Sequence, residues 1–101
     1  MKLLKIVWTA KAVHQLDDIF DYLSNESFSG AEKVRDEILD CVVQLKKFPH
    51  SGQEEELLKK LKQGHRYLVR GNYKIIYRVA DPYIFINSVF DTRQNPDKLQ
   101  A

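Results

Sequence analysis

Residues 65–96, HRYLVRGNYKIIYRVADPYIFINSVFDTRQNP, decide the fold. Three runs rich in β-branched and aromatic residues, at about 65–70, 73–79 and 83–90, are separated by Gly71-Asn72 and by Ala80-Asp81-Pro82. Short turn-forming breaks between such runs predict a three-strand antiparallel meander. The first break fixes which side chains share a face, because a slip of one residue moves every side chain of a strand to the other side. A two-residue loop, Gly71-Asn72, groups Arg66 with Tyr73, Ile75 and Tyr77 and sets Lys74 and Arg78 opposite, with His65, Tyr67 and Val69. A three-residue loop, Arg70 to Asn72, gathers Arg66, Leu68, Lys74, Ile76 and Arg78 on one face and His65, Tyr67, Val69, Tyr73, Ile75 and Tyr77 on the other. Burial of one face demands that charge and apolar surface separate, so the three-residue loop is expected, with its basic face open.

Working outward, charge is divided along the chain. Between Leu57 and Ala80 there are seven Lys or Arg (Lys59, Lys60, Lys62, Arg66, Arg70, Lys74, Arg78) and no Asp or Glu. From Thr9 to Phe48 eight acids face five bases, a local net of −3 within a chain whose formal net is +2. An acidic side and a basic side are expected, and the basic side calls for an anionic partner.

Upstream of the meander lie one strand and two helices. Residues 3–8 form a short apolar run of strand type, with Thr9 placed to cap the first helix. Ala12, Val13, Leu16, Ile19, Phe20 and Leu23 recur at helical spacing, and that helix ends near residues 24–26. Ser29-Gly30-Ala31-Glu32 has the form of a capping box, and Ala31, Val34, Ile38, Cys41, Val42 and Leu45 line one face of the helix behind it, which Pro49 stops just after Phe48. Residues 49–64 read as a loop in which EEELLKKLK forms one or two helical turns. The order predicts an α+β sandwich: a first strand, an antiparallel helix pair, and the meander, with the helices packed on one face of the sheet.

Composition excludes several classes of function. With 101 residues and 44% hydrophobic content, a single domain over 1–101 is expected, too small for a doubly wound cofactor-binding unit. No apolar run approaches a membrane span, and MKLLKIVW runs into a charged helix without a signal-peptide pattern, so a soluble cytoplasmic protein is expected. Cys41 is the only cysteine and falls on an apolar helix face, as a buried inert thiol. His14, His50 and His65 lack ligand spacing, so neither a metal nor a cofactor is expected.

These elements and residues resemble the RelE/ParE superfamily, the toxins of type II toxin–antitoxin modules, also known as plasmid stabilisation proteins. The resemblance rests on VWTAKAVHQLDDIFDYL, FPHSG, RYLVRGNYKIIYRV and INSVFDTRQNP in that order, across nearly the whole chain. It implies a cognate antitoxin as partner and one of two activities: inhibition of DNA gyrase, as in the ParE branch, or ribosome-dependent cleavage of mRNA, as in the RelE branch.

Metal-free RNA cleavage needs a cation for the charge on phosphorus and groups to move protons. Arg66 and Lys74 match basic positions of the ribonuclease members, and Arg93 is a third candidate. His65 could serve as a base, although the expected register turns it toward the core. The ending DTRQNPDKLQA carries no Tyr or His where those members place an acid–base group, and the charge of Asp91 would repel a phosphate. The resemblance is therefore closer to the ParE-like branch: a gyrase inhibitor that binds without chemistry of its own, with Arg66, Lys74, Arg78 and Arg93 as candidate anion- or partner-binding residues. The alternatives are a ribosome-dependent endoribonuclease using Arg66, Lys74 and Arg93, whose partners are the translating ribosome and mRNA, and a non-toxic binding protein of the same fold.

Overall fold

The computed structural model describes residues 3–93. Strand β1 (Lys5–Trp8) leads into helices α1 (Ala10–Ser24) and α2 (Phe28–Val43), followed by strands β2 (Gln53–Glu54), β3 (Arg66–Arg70), β4 (Tyr73–Ala80) and β5 (Tyr83–Asp91), with 3-10 turns at Gln44–Lys46 and Glu56–Leu61. The sheet order is β1-β5-β4-β3-β2; β1 runs parallel to β5 and every other pair is antiparallel. Ala12 and Leu16 of α1 and Ile38 and Val42 of α2 bury their stripe against Tyr73, Ile75, Tyr77, Ile84, Ile86 and Val89, so both helices cover one face of the sheet. The α+β architecture expected from the order of elements is the one observed.

Local chemistry fixes the helix starts. Thr9 Oγ1 accepts from the Ala12 N–H at 3.2 Å and donates to the Ile86 carbonyl at 2.9 Å, so one hydroxyl caps α1 and ties it to β5. The cap of α2 is Ser27, whose Oγ accepts from the Gly30 N–H at 3.0 Å, rather than Ser29 as the S-x-x-E pattern suggests. The connection after α1 is shorter than expected, and starting α2 at Phe28 sets that ring edge-on to Phe20 with centroids 5.6 Å apart. Val13, expected on the buried stripe, is 44% exposed. The short strand β2 has no counterpart in the sequence-based expectation.

The hairpin register corrects the sequence-based expectation. Arg66 pairs with Tyr77, Val69 with Lys74 and Arg70 with Tyr73, so the loop is Gly71-Asn72 alone and Arg66 and Lys74 lie on opposite faces. Gly71 has φ 59°, while Asn72 has no positive φ, the pattern of a type II′ turn, which matches the twist of the flanking strands. Turn chemistry therefore outweighs charge segregation. Neither face needed to be purely polar: Arg66 stands at the end of the helix-side face and reaches a loop carbonyl, and the far face is partly covered, with Ile76 fully buried. In β5, Ile76 pairs with Ser88 but Tyr77 with Ile86, so Asn87 is a bulge that passes the core-facing positions from Ile84 and Ile86 to Val89. Gln15 of α1 accepts the Val89 N–H at 2.9 Å beside this bulge.

Residues 49–52 are pinned to the hairpin from below. The fully buried Tyr77 hydroxyl accepts from the Gly52 N–H and donates to the Pro49 carbonyl, both at 2.9 Å. Gly52 sits so close that a Cβ there would come within 2.6 Å of both the Tyr67 carbonyl oxygen and the Tyr77 hydroxyl. Tyr77→Phe leaves a buried donor and acceptor unpaired and should lower stability in urea denaturation by about 2 kcal/mol. Gly52→Ala should lose about 1–3 kcal/mol through overpacking. A Tyr77→Phe midpoint equal to wild type would show that the loop is held by other means.

Candidate functional site

The four candidate cations occupy three separate places. Arg66, at the start of β3, donates from Nη1 to the Gly52 carbonyl at 2.9 Å and so belongs to the pinned loop. Lys74, on the far face of β4, places Nζ 2.6 Å from Glu55 Oε2 and 4.2 Å from the centre of the Tyr67 ring, with its side chain only 19% exposed. Arg78 lies on the same face, four residues or about 13 Å further along the strand, with its guanidinium 4.6 Å above the Phe85 ring. Each of these two cations rests on an aromatic face, an arrangement that favours a positive charge over the ring.

Arg93, just past β5, grips Asp91 with both arms of its guanidinium: Nε lies 2.9 Å from Oδ1 and Nη2 2.5 Å from Oδ2. The Arg93 backbone N–H adds a third bond to Oδ1 at 2.8 Å. A two-pronged pair of this kind fills the fork that would otherwise hold phosphate oxygens. Those bonds also hold the Asp91 carboxyl below its ordinary range. Residues 94–101 of the ending that lacks Tyr and His lie outside the described residues.

Sequence reasoning missed the surroundings of Arg93. Asp91 pairs directly with Tyr73 across β4 and β5, and a groove of about 530 Å³ opens there, lined among others by Gln15, Asp18 and Tyr22 of α1 together with Tyr73, Asp91 and Arg93. Burial, followed by the nearby Asp91 charge, pushes the Tyr73 phenol up from its ordinary value, so it stays protonated at neutral pH. The signal for this groove was the pairing of Tyr73 with Asp91, which becomes visible only once the register is known. His65 is buried as expected, yet on the face away from the helices. Cys41 is half-buried, and burial raises its thiol pKa, which disfavours the thiolate.

Among the described residues no three His, Cys, Asp or Glu side chains are grouped for metal binding, and no helix is long and apolar enough to cross a membrane.

Two helices on one face of a five-strand sheet, with a basic, aromatic far face, define a small α+β module of the RelE/ParE kind. The model for the ParE toxin of the type II toxin–antitoxin system parDE matches residues 6–96, and the chain belongs to that family. Its fold is similar to a chain in the chromosomal ParDE toxin–antitoxin system of P. aeruginosa, with a TM-score of 0.72 and 26% identity over 88% of this chain and 96% of that one. It is also similar in fold to a chain in the RelBE2 toxin–antitoxin complex of Mycobacterium tuberculosis, with a TM-score of 0.50 and 21% identity over 88% of this chain and 98% of that one. No curated protein matches the chain.

The Asp91–Arg93 pair gives a direct titration test. A carboxyl held low in the folded state contributes stability above its unfolded pKa and loses it as the pH falls through the folded value. In a carboxyl-carbon NMR titration, Asp91 should protonate below the ordinary 3.8. Arg93→Ala should move that midpoint upward, and an unmoved midpoint would mean that the pair does not persist in solution.

Proposed function

We propose that this chain is a ParE-like toxin that inhibits DNA gyrase by binding it in the cytoplasm, without chemistry of its own, and that a cognate antitoxin neutralises it. Membership in the ParE family carries the gyrase assignment. The observation that favours binding over RNA cleavage is the dispersal of the candidate phosphate ligands. Arg66 bonds a loop carbonyl, Lys74 is paired with Glu55 on the opposite face, and Arg93 is gripped by Asp91. Ribonuclease chemistry requires cations and a proton donor to converge on one phosphate, and these groups point to three different places.

Arg78 remains the best candidate for a partner's acidic groups, because its guanidinium lies over the Phe85 ring, whereas Lys74 on the same face is engaged by Glu55. The antitoxin assignment draws support from the two-component systems named for the similar structures. Its affinity should be nanomolar or tighter, on the order of −12 kcal/mol, and the product of the adjacent reading frame should co-purify with this chain.

The purified chain, added to gyrase, ATP and supercoiled plasmid, should cause cleaved DNA to accumulate, and Arg93→Ala should leave that activity largely intact. Unchanged DNA topology at large molar excess of the chain would contradict the gyrase assignment.

A further inference from the structure

The far face of the hairpin contains a histidine with nothing to bond to. His65 is 4% exposed, and neither Nδ1 nor Nε2 has a hydrogen-bond partner. A ring so placed is stable only when neutral, because a charged one would add desolvation to its missing bonds. The surrounding charges do not rescue the cation. Arg78 of β4 repels it, and Glu55, just after β2, favours it, yet the Glu55 Oε2 lies 2.6 Å from Lys74 Nζ and its Oε1 accepts from the Leu57 N–H. Glu54 of β2, Lys59 of the 3-10 turn, Lys62 at its end and Arg66 of β3 line the same cleft of about 310 Å³ as His65. Burial and Arg78 together lower the imidazole pKa below 6.5.

The cover over this histidine is thin. The 3-10 turn Glu56–Leu61 buries Leu58, at 6% exposed, while Leu57 and Leu61 are exposed. Leu58 and Ile76 are both buried, but neither belongs to the helix-side core. The segment ends at Lys62 with φ 56°, a conformation uncommon for a residue with a Cβ, and Gly64 follows with φ 71°. Its hydrogen bonds include Glu55 N–H to the His65 carbonyl at 2.8 Å, Leu57 N–H to Glu55 Oε1 at 3.1 Å, Leu58 N–H to the Glu55 carbonyl at 3.2 Å and Lys62 N–H to the Lys59 carbonyl at 3.0 Å, and the Glu55–Lys74 ion pair ties it to β4.

We propose that His65 is a proton-operated latch for segment 55–64. Neutral, it lets the segment lie closed over the sheet; protonated, it releases the segment and uncovers Ile76, Tyr67 and Lys74. The inference does not depend on the gyrase assignment. Opening returns the imidazole to water, so the open form takes up its proton near the ordinary pKa of about 6.5 and the closed form only at lower pH. The closed state is therefore fully stable above about pH 6.5 and weakens as the pH falls from there toward the closed-state pKa. Within that window the ratio of open to closed rises as the pH falls, by at most about tenfold per pH unit for one proton. Proton uptake and access to the Lys74–Tyr67 patch are thereby linked, so an acidic partner that prefers the open form should bind better as the pH falls.

Amide hydrogen exchange on the full chain between about pH 7.5 and 5.5, corrected for the intrinsic pH dependence of exchange, tests the latch. Protection at Glu55, Leu58 and Lys62 should fall with pH while β4 and β5 keep theirs. His65→Gln should remove the pH dependence. Arg78→Gln deletes a charge that opposes the imidazolium in the closed form, which brings the closed-state pKa nearer the open one. Its protection should therefore fall less on acidification than in wild type, and it carries the test if His65→Gln does not fold. The latch is overturned by protection in 55–64 that does not change with pH, by loss that coincides with β4 and β5, or by an Arg78→Gln loss of protection as large as or larger than that of wild type.

Discussion

The hydrogen bonds of the Tyr77 hydroxyl are the constraint on which the rest of the structure depends. A phenol that is fully buried in the helix-side core must satisfy its polar end there, and it does so on the Gly52 N–H and the Pro49 carbonyl. That contact requires Tyr77 on the helix side of β4 and a residue 52 that lacks a Cβ, and the observed register sets Arg66 beside Tyr77 on the same face. It brings residues 49–52 against β3, where Arg66 reaches the Gly52 carbonyl and Gln53 pairs with Tyr67 as the short strand β2. The chain then has one short route back to β3, which carries residues 55–64 onto the far face.

The distribution of charge depends on the same register. The basic run from Lys59 to Arg78 looks like one surface in the sequence, but the register splits it. Arg66 becomes a structural ligand of the loop, Lys74 and Arg78 go to the far face, and a carboxylate from the crossing segment meets Lys74. At the other end of the sheet, the Asp91–Arg93 pair closes off the remaining guanidinium. A molecule that held these cations for one phosphate would have to unmake all three arrangements. One that uses its surface for protein contact can keep them, and the proposed function rests on that difference.

Much of this was legible in the residues and some of it was not. The strand, the helix pair and the meander follow from apolar spacing and turn residues, and Thr9 and the tyrosines of β4 behave as their chemistry dictates, whereas α2 ends at Val43 and tightens into a 3-10 turn before Pro49 is reached. The expected register fails because it weighs a general demand, separation of charge from apolar surface, above a local one, the fit of Gly-Asn to a type II′ turn. The expected cap of α2 falls two residues late because two serines precede Gly30, and pattern alone cannot tell which side chain reaches its N–H. The Tyr73–Asp91 groove and the unpartnered His65 could not be read from the chain at all. Both are products of cross-strand neighbours and of a covering segment with little periodicity of its own.

The proposed function makes DNA, not messenger RNA, the first casualty of this chain. The most direct measurement is to induce it alone in a bacterial host and follow pulse incorporation of labelled thymidine and methionine over the first minutes. Thymidine incorporation should fall first while protein synthesis continues. An early collapse of methionine incorporation with DNA synthesis intact would contradict it, and would mean that Arg66, Lys74 and Arg93 are brought together on the ribosome in a way the free chain does not display.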